Sequence, residues 1–408
     1  MMNTRTPDGL NERLAEIECD LLPAPPLCTH PAWSASLFDW MTRYHVPGVS
    51  IAVIANSRLE WASGYGVCEV GRSELITPGT IFQACSVSKP VTAVAVLRLV
   101  QEGILDLDED VNAYLTSWKV PPYSTRQSRV TVRHLLSHTA GLTRSWYLGF
   151  RRGAKTPTLL QVLNGEPPAK TRAVRVHSLP GTSFHYSESH FAVLQQLLTD
   201  VTSTPLPELA RVLVLGPLGM RNSSYDPLFP ERRFSATATG HYLDGAPVSG
   251  KWRFFPAVAA SGLWSTPSDL ALLVVDLQLA RAGKPSKILR KEIVDQLLTH
   301  QTPPDGRQWG LGFELKGQGE ATRFRHSGDN IGFKCFVQAF CERGTGIVLM
   351  SNGDNGEAVQ KELLQTIARE YGWRGYPSPG AHSSHTWHAL LQRLALHSLR
   401  RYAQIVHL

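Results

Sequence analysis

The sequence predicts an α/β (α+β) fold: one central antiparallel sheet built from both chain ends, flanked by helices, with a large, mainly helical lobe inserted between them. Three observations carry this. Two β-rich runs stand near the start, at residues 49–55 and 59–70, and three stand near the end, at 322–326, 334–341 and 345–351. From residue 111 to about 290 the apolar residues recur mostly at helical spacing, and strands are few apart from a short piece at 235–242. Strands so far apart in sequence share one sheet only if the intervening chain leaves it and returns, which makes the middle an inserted lobe.

Taken in order, residues 10–22 read as a short helix and Pro23, Pro25, Pro26 and Pro31 as a linker, so 1–34 forms an N-terminal appendage. The main domain spans 35–375. It opens with a helical stretch near 36–44, and His45-Val46-Pro47-Gly48 then turns the chain into the first strand. Asn56-Ser57-Arg58 joins that strand to the second as a hairpin. An apolar, buried helix over 91–101 ends near Gly103. Further helices are expected at 131–137, 187–202, 206–215, 267–281 and 291–299, and one at 357–371 closes the domain. A linker at 372–380 leads to a last, basic helix within 376–408. There Trp387, Leu390, Leu391 and Leu394 recur at i, i+3, i+4, i+7, the mark of a docked terminal helix or of a homo-oligomer contact.

Composition narrows the class. A chain of 408 residues with 42% hydrophobic and 18% charged residues is long and apolar enough for a large core. The formal charge of +7 is spread thinly, with no Lys/Arg block, so nucleic acid is not an expected partner. The N-terminus lacks the 7–15-residue hydrophobic centre of a secretory signal, and no run of 18 apolar residues offers a membrane span. A soluble, cytoplasmic protein is expected. Its six cysteines (Cys19, Cys28, Cys68, Cys85, Cys335, Cys341) include no Cys-x-x-Cys pair and suit free thiols in a reducing compartment.

The chemistry starts at Ser86-Val87-Ser88-Lys89, the only Ser-x-x-Lys of the chain, just before the apolar helix. One helical turn brings Ser86 and Lys89 onto one face, with Cβ atoms about 5–6 Å apart. A serine hydroxyl is a weak nucleophile until an adjacent base takes its proton. The helix N-terminus adds a positive field and free N–H groups where an oxyanion would develop. Tyr186, in Phe184-His185-Tyr186-Ser187-Glu188 before a helix, is a candidate to pass a proton to a leaving group. Arg325-His326-Ser327-Gly328-Asp329 ends a β-segment, where small residues let a ligand approach the backbone.

Ser-Val-Ser-Lys, Tyr-Ser-x and His-x-Gly, in this order and at these spacings, resemble the three motifs of the serine β-lactamase and penicillin-binding-protein superfamily. The likeness is nearest to its branch of class C β-lactamases, D-alanyl-D-alanine carboxypeptidases, D-aminopeptidases and β-lactamase-like esterases. Segments such as VPGVSIAVI from Val46, HLLSHTAGL from His134 and SGLWSTPSDL from Ser261 extend the likeness over about residues 35 to 370. The resemblance implies a β-lactamase/transpeptidase-like fold and a serine hydrolase acting through an acyl-Ser86 intermediate on a small-molecule acyl substrate. In it Ser86 is the nucleophile, Lys89 its proton acceptor and Tyr186 the second acid–base group. The backbone N–H groups of Ser86 and Asp329 would form the oxyanion hole, and no metal or other cofactor is called for.

Two departures bear on the substrate. His326-Ser327-Gly328 stands where β-lactamases usually have Lys-Thr-Gly, replacing a permanent cation by a group mostly neutral at pH 7. Glu188 stands where the pattern has Asn, replacing an amide donor by an acceptor. Both disfavour β-lactams and peptidoglycan stems relative to carboxylic esters, small amides or amine-bearing substrates. Acyl transfer to a non-water acceptor is the nearest alternative, followed by a β-lactamase or D-Ala (D-amino) peptidase; a non-catalytic binding protein fits the retained Ser, Lys and Tyr poorly.

Other motifs read as structural. His134 and His138 have helical spacing but no Glu-containing zinc motif or third ligand. The acids Asp106, Asp108, Glu109 and Asp110 lack the glycine and spacing of a calcium loop. No Gly-x-Ser-x-Gly is present, against an α/β-hydrolase elbow. After His134-to-Leu142 comes a loop in which Trp146, Tyr147 and Phe150 alternate with Arg144, Arg151, Arg152 and Lys155. Trp146 and Tyr147 are expected to line the acyl pocket, and the basic residues to favour an anionic substrate or acyl carrier.

Overall fold

A computed structural model describes residues 37–122, 129–304 and 307–376. The expected N-terminal helix and linker, Cys19 and Cys28, and the basic C-terminal helix with its oligomer contact lie outside the described residues. Helix α1 (Leu37–Arg43) leads into β1 (Gly48–Ala55) and β2 (Arg58–Gly66), a hairpin turning through Asn56 and Ser57 at φ of 51° and 52°. Positive φ at both turn residues matches the twist of the flanking strands. The distal strands are β3 (Glu314–Lys316), β4 (Arg323–Asn330), β5 (Phe333–Phe340) and β6 (Gly346–Ser351). Their order is β2-β1-β6-β5-β4-β3, antiparallel at every step, so the two chain ends meet where β1 pairs with β6.

The sheet therefore has six strands where five are legible in the sequence. The additional one, β3, is three residues long, too short for a period of two to declare itself. The expected strand at 235–242 does not form. That segment is a 3₁₀ turn followed by isolated bridges, because Thr237 and His241 each find a single partner rather than a ladder.

The central strands β1 and β6 are buried on both faces. Val49, Ile51, Val53, Ile347 and Leu349 face α1 and α5 (Gly356–Glu370), with Val359, Leu363 and Ile367 opposite them. Ala52, Ile54, Val348 and Met350 face the other way, into a core with Leu270, Val274 and Leu277. Burial on both faces explains why these strands read as continuous apolar runs rather than alternating ones. The helix supplying Leu270 to Leu277, α4 (Pro267–Arg281), packs on β1, β2 and β6, so the last long helix of the expected 111–290 lobe belongs to the sheet instead.

Helix α2 (Ser88–Gln101) is buried almost all round, with Ser88, Lys89, Val91, Thr92, Ala93, Val94 and Val96 all inside. It packs against α3 (Glu188–Thr202) and the short helix Val258–Ser261, at the boundary between lobe and sheet. No described helix is long and apolar enough to cross a membrane.

Candidate active site

Ser86 occupies a 3₁₀ turn, Cys85–Val87, that runs straight into α2. Cys85 holds a φ of +53°, and the turn is tied down by Ala84 N–H on Leu263 O (2.8 Å) and by Ser88 Oγ, which donates to Cys85 O (2.6 Å). Strand β4 presses against it. A Cβ on Gly328 would stand 2.7 Å from Ala84 O and 2.9 Å from Ser86 N, so the strand reaches the turn only because that residue is glycine.

Lys89, in the first turn of α2, is fully buried and donates to Ser86 Oγ (3.0 Å) and to Ala260 O (2.9 Å). Its third neighbour is Glu188. The Glu188 carboxylate, buried at the start of α3, stands 3.8 Å from Lys89 Nζ, accepts Ser261 Oγ–H (2.6 Å) on Oε1 and takes the Tyr147 N–H on Oε2. Expected to face the substrate, Glu188 turns both oxygens toward the protein. Ser261 belongs to the SGLW segment, and nothing in the sequence alone pairs it with Glu188.

Tyr186 is held by its ring. Trp146 stacks on one side (centroids 5.6 Å apart, 29° between planes), His138 lies 4.4 Å away, Trp309 closes an edge at 5.6 Å, and Lys89 Nζ sits 5.0 Å from the ring centre. Trp309 carries no motif that would single it out. Tyr147, beside Trp146, supplies Glu188 with an N–H but buries its own hydroxyl, whose pKa burial pushes up.

His326 and Gly328 lie on the buried face of β4, while Ser327 and Asp329 point outward. In the β4–β5 ladder the closing pair Asn330–Phe333 sets the alternation: even-numbered residues of β4 bond to β5, and odd-numbered ones point away. Arg323 and Arg325 find β3 on that side, which ends before Ser327 and Asp329. Their N–H groups therefore project from an open edge beside the Ser86 turn. His326 Nδ1 donates to Ser327 O (2.7 Å), and Nε2 is buried without a partner. Burial first, and the Lys89 charge second, lower the His326 pKa to about 3, so the ring is neutral at pH 7.

These groups converge on a cleft of about 920 Å³ lined by Ser86, Trp146, Tyr147, Tyr186, Glu188, His326, Ser327, Gly328 and Asp329, with Arg144, Trp309 and Lys334 on its walls. Cys85, adjacent to the nucleophile, is excluded from it. Its thiol is fully buried against Gln83 O and Phe333 O, and burial raises its pKa well above the ordinary thiol value. The other sequence candidates are spent structurally. His134 caps its own helix, Asp108 pairs with Arg133 (2.7 Å), Glu109 with Arg129 (3.0 Å), and Asp110 caps the helix at Val111. Among the described residues no group of three or more His, Cys, Asp or Glu could hold a metal.

The Beta-lactamase family model matches residues 35–371. Protein flp of Staphylococcus aureus (strain N315) is 27% identical over 329 residues, covering 78% of this chain and 61% of that protein. A D-aminopeptidase of Brucella anthropi is 26% identical over 333 residues, covering 80% and 60% respectively. The chain thus spans less than two thirds of the length of these curated relatives. Among solved structures, the octameric penicillin-binding protein homologue from Pyrococcus abyssi superposes with a TM-score of 0.68 at 26% identity, over 81% of this chain and 76% of that one.

Proposed function

The chain belongs to the Beta-lactamase family, and on that premise we propose that it is a serine hydrolase cleaving carboxylic esters or small amides through an acyl-Ser86 intermediate. The observation that carries the reading is the buried Lys89 Nζ 3.0 Å from Ser86 Oγ, at a serine that lines the cleft. Ser86 attacks the acyl carbonyl while its proton passes to Lys89 acting as the neutral amine, which becomes the ammonium. The N–H groups of Ser86 and Asp329 receive the oxyanion. Tyr186 delivers a proton to the departing alcohol or amine, and water then attacks the acyl-enzyme by the reverse path.

The substrate preference follows from the two departures. His326 is neutral and gives a substrate carboxylate next to the scissile bond no charge to grip. Glu188 is engaged by Ser261, Tyr147 and Lys89 and offers no amide N–H to an acylamino group. Small acyl esters and amides ask for neither contact. Acyl transfer to an acceptor other than water uses the same intermediate and differs only in what enters the open cleft.

The test pairs p-nitrophenyl acyl esters with a chromogenic cephalosporin, using wild type and Ser86→Ala. Ester turnover, with an acyl adduct on Ser86 by intact mass and neither in the variant, is expected, together with weak or absent cephalosporin hydrolysis. Faster turnover of the cephalosporin than of every ester would overturn the preference, and no adduct with any donor would overturn the hydrolase reading.

A further inference from the structure

A second cavity, of about 250 Å³, shares Leu148 and Ile331 with the wall of the nucleophile cleft. Phe150 continues its apolar side, and its other side is cationic, formed by Arg151, Lys170 and Arg253 with no acid in the lining. Two of these cations are brought together by a ladder invisible in the sequence. Phe150–Arg151 pairs antiparallel with Arg253–Phe254, in a register that sets Arg151 directly opposite Arg253. Like charges directly opposite each other destabilise such a pair.

Nothing described in the protein offsets that repulsion. Arg253 is only 7% exposed, yet its guanidinium meets just the Tyr242 hydroxyl, at 3.2 Å. Lys170 lies over the Phe150 ring, 5.7 Å from its centre. Neither these two nor Arg151 has a carboxylate partner among the described residues, whereas the adjacent Arg152 pairs with Glu231 at 2.6 Å. A buried guanidinium without a counter-ion is unfavourable until an anion supplies one. The position is also fixed relative to the reaction centre: Arg253 O accepts from Gln83 Nε2 (2.8 Å), and Gln83 Oε1 accepts from Asn330 Nδ2 (2.8 Å), next to Asp329.

We propose that this cavity is an anion subsite for the far end of the acyl donor. The apolar part of the acyl chain runs from Ser86 past Leu148 and Ile331, and a terminal carboxylate or phosphate-like group meets the Lys170 ammonium and the Arg151 and Arg253 guanidinium forks, which suit either anion. This rests on the acyl-Ser86 reading and specifies its substrate: an ester or amide whose acyl group carries negative charge remote from the scissile bond, where neutral His326 is not required to bind it.

The experiment uses p-nitrophenyl esters of one chain length ending in a carboxylate, a phosphonate or a methyl ester, with wild type and the doubly substituted Arg151→Met/Lys170→Met protein. Both substituted residues are exposed, which avoids disturbing the buried Arg253. In wild type at low salt the charged donors are expected to exceed the neutral one at least tenfold in kcat/KM, and the double variant is expected to lower that ratio at least fivefold. The faster of the two charged donors distinguishes a carboxylate from a phosphate-like terminus. A ratio near one in wild type, or one the variant leaves intact, overturns the proposal. If no ester is turned over and Ser86 carries no adduct, the hydrolase reading fails on its own. Calorimetric titration with glutarate and methylphosphonate then reads the subsite directly: binding weakened tenfold in the variant supports it, and absent binding overturns it.

Discussion

The Glu188 carboxylate stands 3.8 Å from Lys89 Nζ, with both side chains buried. A buried pair of this kind is not in itself evidence of stability, but removing one member strands the other charge at a cost of about 3–5 kcal/mol. Glu188→Gln and Lys89→Met are therefore each expected to lower stability by about 3 kcal/mol, and the double variant by clearly less than the sum. Acylation by Glu188→Gln should slow about 100-fold with an altered pH profile, because Lys89, which accepts the proton as an amine and returns it as an ammonium, has lost the counter-ion of its charged form. Urea midpoints and single-turnover acylation rates read both effects. Additive stability changes would show that the two groups are not coupled.

Gly328 lies in β4 against the nucleophile turn, where a Cβ would come within 2.7 Å of Ala84 O and of Cys85 Cβ. All three nearest atoms are backbone or directly attached to it, so no side chain can swing away. Gly328→Ala is expected to cost about 1–3 kcal/mol from overpacking. It should also displace Ser86 N from its position beside the open edge of β4, reducing acylation far more than the loss of folded protein explains. Comparable activity per folded molecule would contradict the placement.

Stability is expected to fall as the solution is acidified below about pH 6.5. Burial lowers the pKa of His190 to about 4 and that of His326 to about 3, and takes His138 well below its ordinary value. His138 Nδ1 lies 3.1 Å from His190 Nδ1, and Lys89 adds to the field against a positive charge on all three rings. Between the unfolded and folded pKa values only the unfolded chain takes up the proton. The stabilisation from keeping these rings neutral is therefore complete above the unfolded pKa and is lost toward pH 4 and below. The slope should approach about 1.4 kcal/mol per pH unit for each histidine. His190→Asn should flatten it by one such contribution, measured as urea midpoints from pH 7 to 4.5; an unchanged slope would show that His190 does not titrate in this way.

The hairpin at Asn56-Ser57, the strands at 49–55 and 345–351 and the helix at 267–281 are legible because their apolar runs and turn residues act locally. The Ser86–Lys89 contact is legible for the same reason, being one helical turn long. Glu188 shows where such reading stops. Its place in the Tyr-x-Glu triplet is plain, but the direction of its carboxylate depends on Ser261 and Tyr147, which come from other parts of the chain. Strand β3 and the Phe150–Arg151 ladder escape notice because three residues and two residues set up no period.

Local patterns in the sequence encode the motifs of the family, the apolar runs that become strands at both chain ends and the placing of a lysine one turn from a serine, since each is written in residues close together in the chain. Tertiary structure alone decided which groups surround that pair. Packing of α3 and the Val258–Ser261 helix beside α2 gave Lys89 a counter-ion, the register of β4 left the Asp329 N–H on an open edge, and burial made His326 neutral. The meeting of Arg151 with Arg253 is of the same kind: residues a hundred positions apart share a charge problem only once the chain has brought them face to face.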